Sequence, residues 1–140
     1  MIIDKFLQVS NEQAVTSSAA STDVIDFGQT NPNSGMDDRS VMAITVDTSA
    51  TASGAATVTF SVQDSADNST FADVAVTAAI GKATLVAGYQ HLIPLPKKLR
   101  RYVRAYYTVA TGPLQAGAFS AQVVTGVQQN SAYPNSSRIS

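Results

Sequence analysis

The chain has 140 residues, 44% of them hydrophobic and only 14% charged, where ordinary domains carry about 25%. That length suits one domain able to bury roughly 68% of its unfolded surface, and so little charge suggests a surface partly hidden against partners. With no cysteine and one histidine, a disulfide framework and a thiolate metal site are excluded, and no apolar run is long enough for a membrane helix.

The net charge of −1 conceals a polarised chain. All ten carboxylates lie between Asp4 and Asp73, beside only Lys5 and Arg39, whereas from Lys82 onward there are seven cations and no side-chain acid. Two readings follow. Either the halves interleave in one fold and neutralise each other, or the basic half meets a polyanionic partner.

In chain order, the start MIIDKFLQV holds Ile2, Ile3, Phe6 and Leu7, more apolar groups than a free end should show. Residues 1–12 therefore read as an arm tied to its own domain or to a neighbour. They lack the basic region of a signal peptide. Residues 13–27 read as two short extended pieces ending at Gly28, and 29–38 as a loop rich in Asn, Pro, Ser and Gly. From Arg39 to Thr48 both alternating faces are apolar, as in a central strand covered on both sides.

Residues 57–64 give the clearest half-buried strand, with Val58, Phe60 and Val62 inward and Thr57, Thr59, Ser61 and Gln63 outward. The turn DSADNST returns the chain into Phe71–Thr77, making a hairpin. Tyr89–Leu95 is a further strand. After Pro94 and Pro96 comes the run KKLRRYVRAYYTVA, whose period of two turns Val103, Ala105, Tyr107 and Val109 inward. Tyr102, Arg104, Tyr106 and Thr108 then point outward. Thr111-Gly112-Pro113 turns the chain into a last strand over 118–128, and 129–140 reads as a polar tail.

Eight or nine short strands with turns about every ten residues predict an all-β fold. Open sheet edges invite aggregation, which favours a jelly-roll-like antiparallel β-sandwich or barrel of about eight strands spanning 13–128.

Candidate chemistry is thin. His91 sits in a strand and reads as structural, and no catalytic, metal or cofactor-binding residues are assigned. Asp64, Asp67 and Asn68 lack the register of a calcium loop and read as a turn whose side chains bond their own backbone. Asp37-Asp38 reads as a solvated loop. The one specific cluster is Lys97, Lys98, Arg100, Arg101 and Arg104, interleaved with Tyr102 and followed by Tyr106. A protein interface is the favoured reading, because Arg and Tyr are enriched at interface cores. A merely solvated face and a nucleic-acid site are the alternatives. With Ile2, Ile3, Phe6 and Leu7, these residues are the interface candidates, and Arg100, Arg101 and Arg104 are expected to face acidic groups of a partner.

Three segments carry a resemblance: MIIDKFLQVSNEQAVTSSAASTDVIDFG, SVQDSADNSTFADV and LPKKLRRYVRAYYTV. Together they resemble the small capsid cement proteins of tailed phages, across nearly the whole chain. The resemblance implies a jelly-roll-like fold without enzymatic activity or cofactor. It implies as partners an HK97-like major capsid protein and a second cement subunit in a homodimer, with no membrane and no direct nucleic-acid contact. The protein would be made in the host cytoplasm and reside on the capsid surface of the virion. The alternative is a carbohydrate- or receptor-binding sandwich of a phage tail or cell surface.

Overall fold

Alternation of apolar and polar residues at period two makes each strand amphipathic, and such strands are stable only when two sheets close their apolar faces on each other. A computed structural model describes residues 3–29 and 39–127 and shows this arrangement. After a 3₁₀ turn at Lys5–Leu7 come β1 (Gln8–Ala14), β2 (Ala19–Ala20), β3 (Ile25–Asp26), β4 (Val41–Thr51) and β5 (Thr57–Ser65). Then follow β6 (Ala72–Val76), β7 (Ile80–Gly81), β8 (Gln90–Pro94), β9 (Tyr102–Ala110) and β10 (Ala116–Val124).

One sheet has the order β1-β10-β4-β8 and the other β2-β9-β5-β6, with β3 also on β9 and β7 also on β5. Every pairing is antiparallel. With the two-residue β3 and β7 set aside, the pairs nest: β1 with β10, β2 with β9, β4 with β8, β5 with β6. That is one long hairpin rolled over on itself, the jelly roll of two four-stranded sheets. The expected all-β sandwich is the fold of the protein.

The inward residues are those the alternation marks. Val58, Phe60 and Val62 of β5 and Val103, Ala105 and Tyr107 of β9 are fully buried, and Val109 packs at the margin of the core. Met42, Ile44 and Val46 of β4 and Phe119, Ala121 and Val123 of β10 face them. At the centre, Phe60 meets Tyr107 edge-on at 5.9 Å and Phe119 at 5.5 Å, while Tyr107 and Phe119 stack at 5.4 Å. The strand expected to be covered on both sides is β4, central in its sheet, with Ala43 as buried as Met42 and Ile44.

The buried Tyr107 hydroxyl donates to Ser10 Oγ at 2.8 Å, which ties β9 of one sheet to β1 of the other. Ser10 Oγ donates in turn to Gln13 Oε1 at 2.9 Å, so a phenol that burial would otherwise orphan is satisfied.

The sandwich takes in residues 8–12, which the sequence assigns to an arm. Strand β1 carries register shifts between Gln8 and Ser10 and between Ser10 and Gln13, and Glu12 has φ of 47°. Val9 and Ser10 are therefore both buried. A bulged strand loses its period of two, and the sequence signal goes with it. The last strand likewise begins at Ala116 and ends at Val124 rather than spanning 118–128. The tail expected over 129–140 lies outside the described residues. Among the described residues no helix is long and apolar enough to cross a membrane.

Candidate interaction surface

The outward face of the β2-β9-β5-β6 sheet is built in cross-strand rows. Tyr102 pairs with Asp26 on β3 and Ser65 on β5, Arg104 with Gln63, and Tyr106 with Ala20 and Ser61. Gln63 continues its row to Asp73 on β6, and Ser61 continues to Val76, which is more than half exposed. The alternation of β9 thus presents Tyr102, Arg104 and Tyr106 together, as expected.

Register also decides what the arginines meet. Arg100 precedes β9 beside the end of β5, where Asp64 is buried. Its backbone N–H donates to Asp64 Oδ2 at 2.9 Å and its Nε to Oδ1 at 2.8 Å, while Nη2 reaches the Asp64 carbonyl at 2.9 Å. The hydrogen bond to Asp64 raises the Arg100 pKa further. Arg101 grips Asp26 through two bonds, Nε to Oδ1 at 2.8 Å and Nη2 to Oδ2 at 3.0 Å. That side-chain bond, with the Gly28 N–H, pulls Asp26 below its ordinary value. Arg104 donates from Nε to Gln63 Oε1 at 2.8 Å, and Gln63 Nε2 donates to Asp73 Oδ1 at 2.9 Å. The Arg104 guanidinium lies 3.7 Å from the centre of the Phe71 ring.

Of the three arginines expected to meet acids of a partner, two already hold an acid of their own chain. Arg100 and Arg101 are engaged by carboxylates of the acidic half of their own chain, the interleaving that the charge asymmetry left open. The cause is register: β5 and β3 flank β9 and bring Asp64 and Asp26 to its first turn of chain. Asp26, Gln63 and Phe71 are the members of this surface that sequence reasoning missed, and Asp64, read there as a turn residue, lies buried beneath Arg100. The outward position of Gln63 on β5 was the only local signal, and it needs the pairing partner to be informative.

Lys97 and Lys98 are exposed on the connection into β9, which buried Leu99 fastens to the core. At the other candidate surface, Ile2 lies outside the described residues. Asp4 Oδ1 caps the 3₁₀ turn by accepting from the Phe6 N–H at 2.9 Å. Leu7 packs against the core, while Ile3 is 48% and Phe6 89% exposed. Val24, Val76 and Val86 are exposed apolar side chains that the sequence did not single out.

His91 is held in β8 with its Nδ1 3.2 Å from the Tyr89 hydroxyl and its ring 6.3 Å from Phe60, a packing position. Among the described residues there is no group of three His, Asp or Glu placed to hold a metal ion. The pair Asp37-Asp38 lies outside them. The turn expected over 64–70 holds for Asp67 and not for Asp64, which lies in β5 and bonds Arg100: Asp67 Oδ1 accepts from the Ser69 and Thr70 N–H groups, each at 2.9 Å, and from Ser65 Oγ at 2.8 Å. Asn68 supplies the left-handed residue, with φ of 58°.

Those amide bonds, Thr70 first and Ser69 next, lower the Asp67 pKa from 3.8 to about 2. A depressed carboxylate stabilises the fold above its ordinary value and ceases to do so as pH falls through the lowered one. The Ser69 and Thr70 amide resonances are therefore expected to shift together, with a midpoint near 2, as acid is added. A midpoint near 3.8 in an amide-detected NMR titration contradicts the turn geometry.

Fold and surface define a jelly-roll domain whose distinctive chemistry is carried on an open sheet face. The profile of the Bbp16 family matches residues 9–123, and the chain belongs to that family, a phage-related one. No curated protein matches the chain.

Proposed function

We propose that the protein is a capsid cement protein, akin to that of the short-tailed Bordetella phage, attached to the outside of an HK97-like shell. In this reading it is a structural protein of the virion without catalytic activity, cofactor or nucleic-acid contact. It is made in the host cytoplasm and sits as a homodimer across neighbouring copies of the major capsid protein. Membership in a phage-related family supports the reading, as does the light charge of the chain.

The observation that carries it is Phe6. A large aromatic side chain, 89% exposed, stands at a capped turn whose next residue, Leu7, is packed on the core. Solvent gives no reason to hold Phe there, whereas an apolar pocket of a neighbouring subunit does. A second reading, a glycan-binding sandwich of a tail or cell surface, is favoured by Tyr102 and Tyr106 on one open face.

Counting the protein in purified particles separates the two: cement approaches the copy number of the coat protein, and a tail module is present in a handful of copies. Phe6→Ser is expected to cut occupancy of shells about tenfold with no change in melting temperature. Full occupancy by the variant rejects Phe6 as the anchor, and low copy number of the wild type rejects cement.

A further inference from the structure

Five cations crowd the start of β9, and a charge there attracts a partner only as far as its own chain leaves it uncompensated. Asp64 and Asp26 each hold an arginine. Arg104 differs: its Nε is bonded to a neutral amide oxygen, that of Gln63, and no carboxylate pairs with it among the described residues. No hydrogen bond engages its two Nη groups among those residues. The guanidinium plane is nevertheless fixed, by the Phe71 ring beneath it at 3.7 Å and by the Gln63 bond at its edge. Tyr106, with its ring centre 5.8 Å away, and Tyr102 stand on the same side of the strand.

We propose that Arg104 is the specific contact of this face: its end-on Nη fork takes a single carboxylate on the surface of the shell protein, between the phenols of Tyr102 and Tyr106. This rests on the capsid reading and names the partner chemistry of the β9 surface. Ordering a long arginine normally costs conformational freedom on binding, and here stacking and the Gln63 bond have set the rotamer in advance. A carboxylate matches the two parallel N–H donors of such a fork. A polynucleotide does not fit as well, because phosphate tracking needs a row of uncompensated cations. On this face Asp26 and Asp73 stand among the basic groups.

The test is co-sedimentation of the purified full chain with DNA-free shells that lack it, over a series of salt concentrations. Arg104→Gln is expected to weaken binding about tenfold, and Arg104→Lys to recover only part of that, since it restores charge without the fork. Thr108→Glu, at an exposed position on the same side of β9, is expected to weaken binding as well by repelling the carboxylate. Its side chain is exposed and faces only the half-buried Thr59 in the β5–β9 register, so the variant is expected to fold and keeps the test decisive if Arg104→Gln misfolds. Lys82→Gln removes one charge near the opposite end of β5 and is expected to bind as wild type.

Wild-type binding by both Arg104→Gln and Thr108→Glu overturns the proposal and leaves the cement reading standing. Full recovery by Arg104→Lys overturns the fork, and loss by Lys82→Gln equal to that of Arg104→Gln overturns the specific site. Retardation of duplex DNA by the wild type, lost in Arg104→Gln, replaces the protein partner by a phosphate one. Failure of the wild type to bind shells removes the cement reading and this inference with it.

Discussion

Phe60→Ala is expected to destabilise the protein by about 3–5 kcal/mol, the range for emptying a core of a large aromatic side chain. Phe60 is fully buried, sits opposite Tyr107 in the β5–β9 register and reaches across to Phe119 on the facing sheet. Removing it takes away two edge-on aromatic contacts and the transfer energy of the ring at once. The void opens between two hydrogen-bonded sheets, which cannot collapse around it without breaking their ladders. In a domain of this size the melting temperature should fall by roughly 10 °C. Thermal and urea unfolding measure it, and a loss below about 1 kcal/mol contradicts the central ring packing. Phe60→Leu, which keeps most of the volume, is expected to cost much less.

The second large effect appears in alkali. Burial, aided by the charge of Asp47, pushes the Tyr107 pKa from 10.0 to about 12, against the opposing hydrogen bond with Ser10. A group whose folded pKa is raised stabilises the fold fully below the unfolded value and loses that contribution as pH rises through the folded one. Stability should therefore fall between pH 10 and about 12, by roughly 3 kcal/mol, as the unfolded chain ionises a phenol that the fold keeps neutral. Tyr107→Phe lacks this slope. At neutral pH the variant is expected to be less stable by about 0.5–1.5 kcal/mol, since one hydrogen bond is lost. Ser10 keeps Gln13 as its acceptor, which limits the damage. Above pH 11 the order of the two proteins should reverse. Equilibrium unfolding of both from neutral to alkaline pH tests it, and parallel curves contradict the buried phenol.

The same contrast runs through the interaction surface. Arg101 and Arg104 lie three residues apart on one segment, with the same side chain, yet one is held by Asp26 and the other by Gln63 and Phe71. Their electrostatic value to a partner differs for that reason alone. Exposed ion pairs contribute little to stability, about 0–1 kcal/mol, so the Asp26–Arg101 pair is better understood as setting where β3 lies against β9. Asp64, buried and bonded to the backbone N–H of Arg100, fastens the connection from Leu95 onto the end of β5.

What the amino-acid sequence determined by itself was whatever a strand's period of two expresses locally. It was enough to orient β5 and β9, to name Phe60 and Tyr107 as core, and to put Tyr102, Arg104 and Tyr106 on one outward face. Turn chemistry was equally local, since Asp67 satisfies backbone groups within three residues of itself and Asn68 takes the left-handed position. Only the tertiary structure decided the rest, because it depends on pairing between distant segments. Asp64 meets Arg100 across 36 residues and Asp26 meets Arg101 across 75, through registers that no local pattern encodes. Strand β1 was hidden for a related reason: its bulges are imposed by β10, and a bulge erases the alternation by which a strand is recognised. Charge shows in composition, but its compensation is a property of the folded neighbourhood.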